Sequence, residues 1–232
     1  MQSHARLFLK GTLDSAPFIL VVVPFAALFG VVSADAGLDI IETMAFSVIV
    51  LAGTAQFTAL SLMQDQAPTI IAILTALVVN SRMAMYSAAL APYLGKAPLW
   101  KRAFVAYGLV DQAFALSDAA YQRFPDWSVG QRIAYFAGSS CMVCSLWMVC
   151  TFAGALLGDQ LPDWLAIDFA LPLAFLAMVA PALRTMAHVA AALTSAVAAL
   201  TFAFVPYGLG LLIAAFLAMA VGAEFDRRTP KP

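Results

Sequence analysis

Arg82 and Asp111 are the residues of this chain whose chemistry most needs an explanation. Each lies within or at the edge of an apolar run long enough to cross a bilayer. An ionisable side chain at that depth costs at least about 2.5–3.5 kcal/mol, so a function or a partner must retain it. Arg82 stands in Asn80-Ser-Arg82-Met-Ala-Met-Tyr86, four residues before Tyr86 and on the same helix face. Such a cluster can face a cavity, where a guanidinium holds a carboxylate through two parallel hydrogen bonds. The competing reading is an arginine that snorkels to the headgroups. Asn80 favours the first, since an amide at depth also needs a partner. Asp111, in Tyr107-Gly-Leu-Val-Asp111-Gln112-Ala-Phe, is too short to snorkel. It reads as a proton carrier, as an ion-pair partner for Arg82, or as half of a purely structural pair.

Gln56 is the third candidate. It lies in Gly53-Thr-Ala-Gln56-Phe, where Gly53 frees the backbone to leave helical geometry and expose amides to a substrate. The alternative is an interhelical hydrogen bond packed on small residues. Arg184 and His188, four apart beside Pro181, mirror this break in the second half or anchor a helix end. Cys141, Cys144 and Cys150 share one apolar segment without a nearby His or carboxylate, and read as buried small hydrophobes. No metal site and no cofactor is expected.

The elements that position these residues follow from composition. The 232 residues are 63% hydrophobic and 11% charged, with a mean hydropathy of +0.92. Soluble domains carry about 25% charged residues, so the bilayer is the solvent. The fold class is an all-α polytopic membrane protein, a single transmembrane domain over 1–232. Apolar runs at about 15–34, 43–64, 68–91, 101–121, 132–157, 168–185, 187–204 and 206–223 give seven or eight helical segments. Pro24, Gly53 and Pro181 are the expected helix breaks. Met1–Asp14 lacks a small-residue cleavage site before the next span, unlike a signal peptide. A net charge of −1 gives no case for nucleic acid.

Arg6 and Lys10 place the N-terminus in the cytoplasm, and Arg227, Arg228 and Lys231 place the C-terminus there. Lys96, Lys101 and Arg102 then crowd a loop that lies outside if the first three segments all cross. A second segment that enters and returns resolves the conflict. Gly30-Val-Val-Ser-Ala-Asp35 is similar to Gly154-Ala-Leu-Leu-Gly-Asp159. With one segment re-entrant, segments one and five run in opposite directions. That makes an inverted repeat of halves at about 11–92 and 132–205, linked by a helix at about 101–121.

At these motifs the chain resembles the AzlC family, the large subunit of two-component branched-chain amino-acid exporters. The blocks are Pro24-Phe-Ala-Ala-Leu-Phe-Gly30, Ala52-Gly-Thr-Ala-Gln56-Phe, Val79-Asn80-Ser-Arg82 with Tyr86 and Pro92, and Asp111-Gln112-Ala-Phe. The family usually has His after the arginine, where Met83 stands, and Asp-Glu where this chain has Asp111-Gln112. The resemblance implies export of branched-chain or similar apolar amino acids across the bacterial inner membrane, with a small hydrophobic AzlD-like partner subunit. Gln56, Asn80, Arg82, Tyr86, Asp111 and Gln112 would line the substrate or coupling site. Gly208, Gly210, Ala214, Ala215 and Ala218 form a small-residue face suited to the partner. No Gly-x-x-x-x-Gly-Lys-Ser/Thr stretch is present, so energy comes from a gradient or from another chain. A non-transporting scaffold or sensor is the alternative. An enzyme is not expected, with His4 and His188 the only histidines.

Overall fold

The computed structural model describes residues 3–158, 183, 185–205 and 209–228. All regular elements among them are helices. The chain divides into two compact units, Met1–Phe57 with Val79–Leu165, and Thr58–Val78 with Ala166–Pro232.

In the first unit α1 (His4–Asp14) continues through a 3-10 turn (Ala16–Phe18) into α2 (Ile19–Asp35). Ser3 caps the start, its hydroxyl accepting from the Arg6 amide. The resulting rod of 32 residues is long and apolar enough to cross a membrane, as are Thr69–Leu94 and Val129–Leu157. Pro24 lies inside α2 and does not break it. The expected break there is therefore corrected: a proline removes one backbone bond, which a long packed helix absorbs.

The rod packs along α9 (Val129–Gly158). Ser15 donates to Ser139 at 2.8 Å. A Cβ on Gly11 would strike the Tyr135 carbonyl, one on Gly30 the Thr151 carbonyl, and one on Gly154 the Ala27 carbonyl. Glycine here allows backbone against backbone. Partner numbers rise together along both helices, so the helices are parallel. Segments one and five do not run in opposite directions, which corrects the arrangement expected from the sequence.

The physical reason is a pair of hairpins rather than one. The second segment divides into α3 (Ile40–Ile49) and α4 (Gly53–Gln64). Asp39 and Glu42 form a capping box at the start of α3. Ser47 of α3 meets Gln56 of α4, and Phe46 and Phe57 both pack on Phe29. Residues on either side of the break thus face one level, and the chain doubles back. The break falls at Val50–Ala52, ahead of Gly53. Gly53 opens α4, and a Cβ added there would fall 2.6 Å from the Trp147 ring, so its absence makes room for that ring. Its role is close packing, not the backbone freedom expected of it.

The third segment divides into α5 (Thr69–Val79) and α6 (Arg82–Leu94) at Asn80-Ser81. The fourth divides into α7 (Leu99–Tyr107) and α8 (Asp111–Arg123) at Gly108–Val110. Neither break is marked by proline. α6 and α8 run parallel: Tyr86 stacks on Phe114 at 4.1 Å between ring centres, and Tyr93 meets Tyr121 at 5.4 Å. Both finish at the start of α9. Arg132 donates to the Tyr93 carbonyl, and the Tyr121 hydroxyl donates to the Arg132 carbonyl. Leu7 joins Leu94, Tyr121 and Tyr135 in one buried cluster, which places that end beside the start of α1. The hairpin α7–α8 therefore begins and ends beside the N-terminus. Hairpin α3–α4 enters from the other end, where Ala34, Gly37 and Asp39 line a pocket with Ala155 and Leu156. Carbonyls freed at both breaks are satisfied: Tyr107 donates to Val48 at 2.9 Å, and Ser140 donates to Gly108 at 2.7 Å.

In the second unit α10 (Met186–Thr201) and α11 (Leu209–Arg228) form an antiparallel pair. Gly210 lies against the Phe202 carbonyl and Gly222 against Ala191. Ala214 and Ala218 are buried. Gly210, Ala214 and Ala218 of the small-residue face are thus covered within the chain, and Ala215 is exposed; Gly208 lies outside the described residues. Pro181, Arg184 and most of the segment expected at 168–185 also lie outside them.

Candidate functional site

The breaks set the site. Thr54 is the second residue of α4, Arg82 the first of α6 and Asp111 the first of α8. Arg82 therefore does not close its segment, and Asp111 is not in mid-helix. Both stand at fresh helix starts. All three side chains meet. Arg82 Nη2 donates to Thr54 Oγ1 at 2.7 Å, and Arg82 Nη1 lies 3.1 Å from Asp111 Oδ2. The other Asp111 oxygen accepts from the Tyr86 hydroxyl at 2.9 Å. The ring stack on Phe114, one turn beyond Asp111, holds Tyr86 in place.

Helix starts carry a partial positive charge, which favours Asp111 on α8 and disfavours Arg82 on α6. Asp111 and Thr54 compensate for the second. The pair is not sealed: the side chains of Arg82 and Asp111 are 26% and 38% exposed. The guanidinium meets Asp111 through one nitrogen, and its Nε is buried without a partner among the described residues. Donor capacity therefore remains for a second acceptor.

Gln56 is fully buried. Its Nε2 donates to Ser47 at 3.1 Å, while its Oε1 has no partner among the described residues. Asn80 Oδ1 is likewise buried and without such a partner. Gln112 follows Asp111 on α8, half-buried, and makes no side-chain hydrogen bond with a described residue. The structure thus joins Arg82, Tyr86 and Asp111 directly and leaves Gln56, Asn80 and Gln112 outside that network. It adds Thr54, Tyr107 and Ser140, which the sequence reading did not single out. Thr54 stood within the glycine-containing motif already noted. Nothing in the sequence marked Ser140 as the partner of a carbonyl 32 residues away.

Among the described residues no group of three His, Cys, Asp or Glu could hold a metal ion. The available chemistry is the exchange of hydrogen-bonded and charged partners at one arginine.

Relatives share the class of molecule. The chain is 28% identical to inner membrane protein YgaZ of Escherichia coli over 212 residues, 86% of this chain and 83% of that protein. An uncharacterised membrane protein of Archaeoglobus fulgidus is 29% identical over 206 residues, 86% of each. One from Helicobacter pylori is 26% identical over 176 residues, 74% of this chain and 75% of its own. No solved structure matches. The family described as "AzlC protein" matches residues 17–161, which include both hairpins and every residue of the site. The chain belongs to the AzlC family, and it is a membrane protein.

Proposed function

We propose that the chain is the large subunit of a secondary transporter that exports branched-chain or similar apolar amino acids across the inner membrane. One observation carries the reading: the Arg82 guanidinium is shared between a hydroxyl and a carboxylate where three helices begin. Discontinuous helices of secondary transporters point their positive starts at anionic substrate groups. A substrate carboxylate takes the place of Asp111 on Arg82. The released Asp111 then meets the substrate ammonium or accepts a proton. Gln56 Oε1 and Asn80 Oδ1 are acceptors in want of donors, which an ammonium group supplies. The apolar side chain of the amino acid needs only an apolar wall.

The hairpins suit alternating access. Each ends near the other, with Tyr107 of one bonded to Val48 of the other. Movement of either hairpin opens the site toward its own end. The α6–α7 turn lies at the same end as the N-terminus, so Arg6, Lys10, Lys96, Lys101 and Arg102 gather on one side, the cytoplasmic side by the charge rule. Arg227 and Arg228 place the C-terminus there also. Coupling is to a gradient, and a small hydrophobic AzlD-like subunit completes the transporter.

The test is tracer efflux of leucine, isoleucine and valine from proteoliposomes holding the chain with and without that subunit. The proposal expects gradient-driven efflux from the pair. Absence of transport of any amino acid by either preparation would return the chain to a scaffold or sensor role. Full transport by the chain alone would remove the partner.

A further inference from the structure

We propose that the groove between α6 and α7 is a binding site for one anionic phospholipid of the membrane leaflet on the N-terminal side. Ser87, Leu90, Leu94, Leu99, Arg102 and Leu109 are among the residues lining it, around a volume of about 310 Å³. Its floor is apolar and buried, with Leu90 at 2%, Leu94 at 5%, Val105 at 7% and Leu109 at 4% exposure. Small residues, Ala91, Gly95, Ala103 and Ala106, keep its walls low. A channel of this lining takes a hydrocarbon chain and offers little to a polar solute.

Its mouth is basic. Arg102 lines it, and Lys96 and Lys101 stand in the same turn and helix. Charge complementarity decides the occupant, because no acidic residue occurs between Asp65 and Asp111. Lys96 and Arg102 make no ion pair or hydrogen bond with a described residue, and Lys101 rests over the Trp100 ring at 5.2 Å. Trp100 is itself 69% exposed and Leu99 76% exposed. An exposed tryptophan beside cations at a helix end is the arrangement of a membrane interface. Juxtamembrane Lys and Arg attract anionic headgroups. The occupant is therefore a molecule with a phosphate and an acyl chain, the phosphate at Arg102 and Lys101 and the chain along Leu94, Leu90 and Leu109. The groove walls belong to the helix that carries Arg82 and to the hairpin that carries Asp111. A bound lipid thus braces the hairpin against α6 without entering the polar site.

The experiment is native mass spectrometry of the full chain released from nanodiscs of equal phosphatidylglycerol and phosphatidylcholine. The unmodified chain should retain phosphatidylglycerol at least fivefold over phosphatidylcholine. Arg102→Gln should bring that ratio near one, while Arg102→Lys preserves it. Ala103→Trp fills the groove with every charge intact and should also lose the retained lipid. Circular dichroism confirms that each variant is helical, and a variant that fails to fold is replaced by Ala106→Leu. Equal retention of both lipids by the unmodified chain would overturn the site. So would retention unaltered in both Arg102→Gln and Ala103→Trp. Displacement of the lipid by 10 mM inorganic phosphate would assign the basic mouth to a free anion instead. If Ala103→Trp leaves lipid retention intact but abolishes co-purification with a small hydrophobic subunit, the groove is a protein contact and the lipid proposal fails.

Discussion

Arg82 at the start of α6 and Asp111 at the start of α8 approach to 3.1 Å across 28 intervening residues, each exposed by its own helix break. Asp111 opens a new helix, and Arg82 follows a two-residue turn inside the apolar run Thr69–Leu94. The pair holds two half-helices together at the point where two hairpins from opposite ends meet, and it remains open enough to exchange partners.

The pair predicts a rescue pattern. Arg82→Met and Asp111→Asn each leave one charge without its partner, and each should lower the yield of folded protein several-fold. Removing one partner of a charge pair is more damaging than replacing both. The double variant should fold to within about twofold of the unmodified chain, read by size-exclusion chromatography in detergent. Recovery absent in the double variant would show that the two charges act separately.

Tyr86→Phe keeps the stack on Phe114 and deletes one hydrogen bond to Asp111. Hydrogen bonds to charged groups contribute about 1.5–3 kcal/mol, less at this half-exposed site. The expected outcome is a Tm lower by a few degrees, with folding retained. Tyr86→Leu should cost more, since it removes the stack as well. Equal losses in both variants would mean that the ring, not the hydroxyl, holds Asp111.

Gly30 and Gly154 lie where α2 and α9 touch backbone to backbone. Leucine at either position has no space, and folded yield should drop at least tenfold. Gly37 differs: its φ of +86° is left-handed, but nothing lies within 4 Å of its added Cβ. Gly37→Asn should therefore be nearly neutral, since asparagine tolerates that region. A damaging Gly37→Asn beside a benign Gly154→Leu would reverse this account of the glycines.

Much of this was legible in the sequence, for reasons visible at single residues. Composition alone identified the membrane helices, and burial cost alone identified Arg82 and Asp111. The loop charges Lys96, Lys101 and Arg102 called for a segment that doubles back, and in the first unit the chain turns between α3 and the start of α4. The second hairpin was not legible. Val50-Leu51-Ala52 and Asn80-Ser81 break helices without proline or glycine: at the first, Tyr107 satisfies the freed Val48 carbonyl, and at the second, the Asn80 and Ser81 carbonyls accept local bonds from the Met83 and Ala84 amides. Hydropathy reads 101–121 as one apolar run whether it crosses or turns at Gly108. The similarity of Gly30 and Gly154 was real as packing, since both sit at the α2–α9 contact, but the helices prove parallel.

The hairpins predict an accessibility pattern. In a background lacking Cys141, Cys144 and Cys150, single cysteines at Lys96 and Asp126 should resist an impermeant thiol reagent applied to intact cells. A cysteine at Gly37 should react. Strong labelling at Lys96 with protection at Asp126 would require α7–α8 to cross fully.

The central claim is that Arg82 receives the substrate carboxylate in place of Asp111. Counterflow in proteoliposomes, comparing leucine with leucine amide, tests it most directly. The unmodified transporter should accumulate leucine and reject the amide, which lacks the carboxylate. The folded Arg82→Met, Asp111→Asn double variant should accumulate neither. Leucine counterflow by that double variant at the unmodified rate would contradict the account.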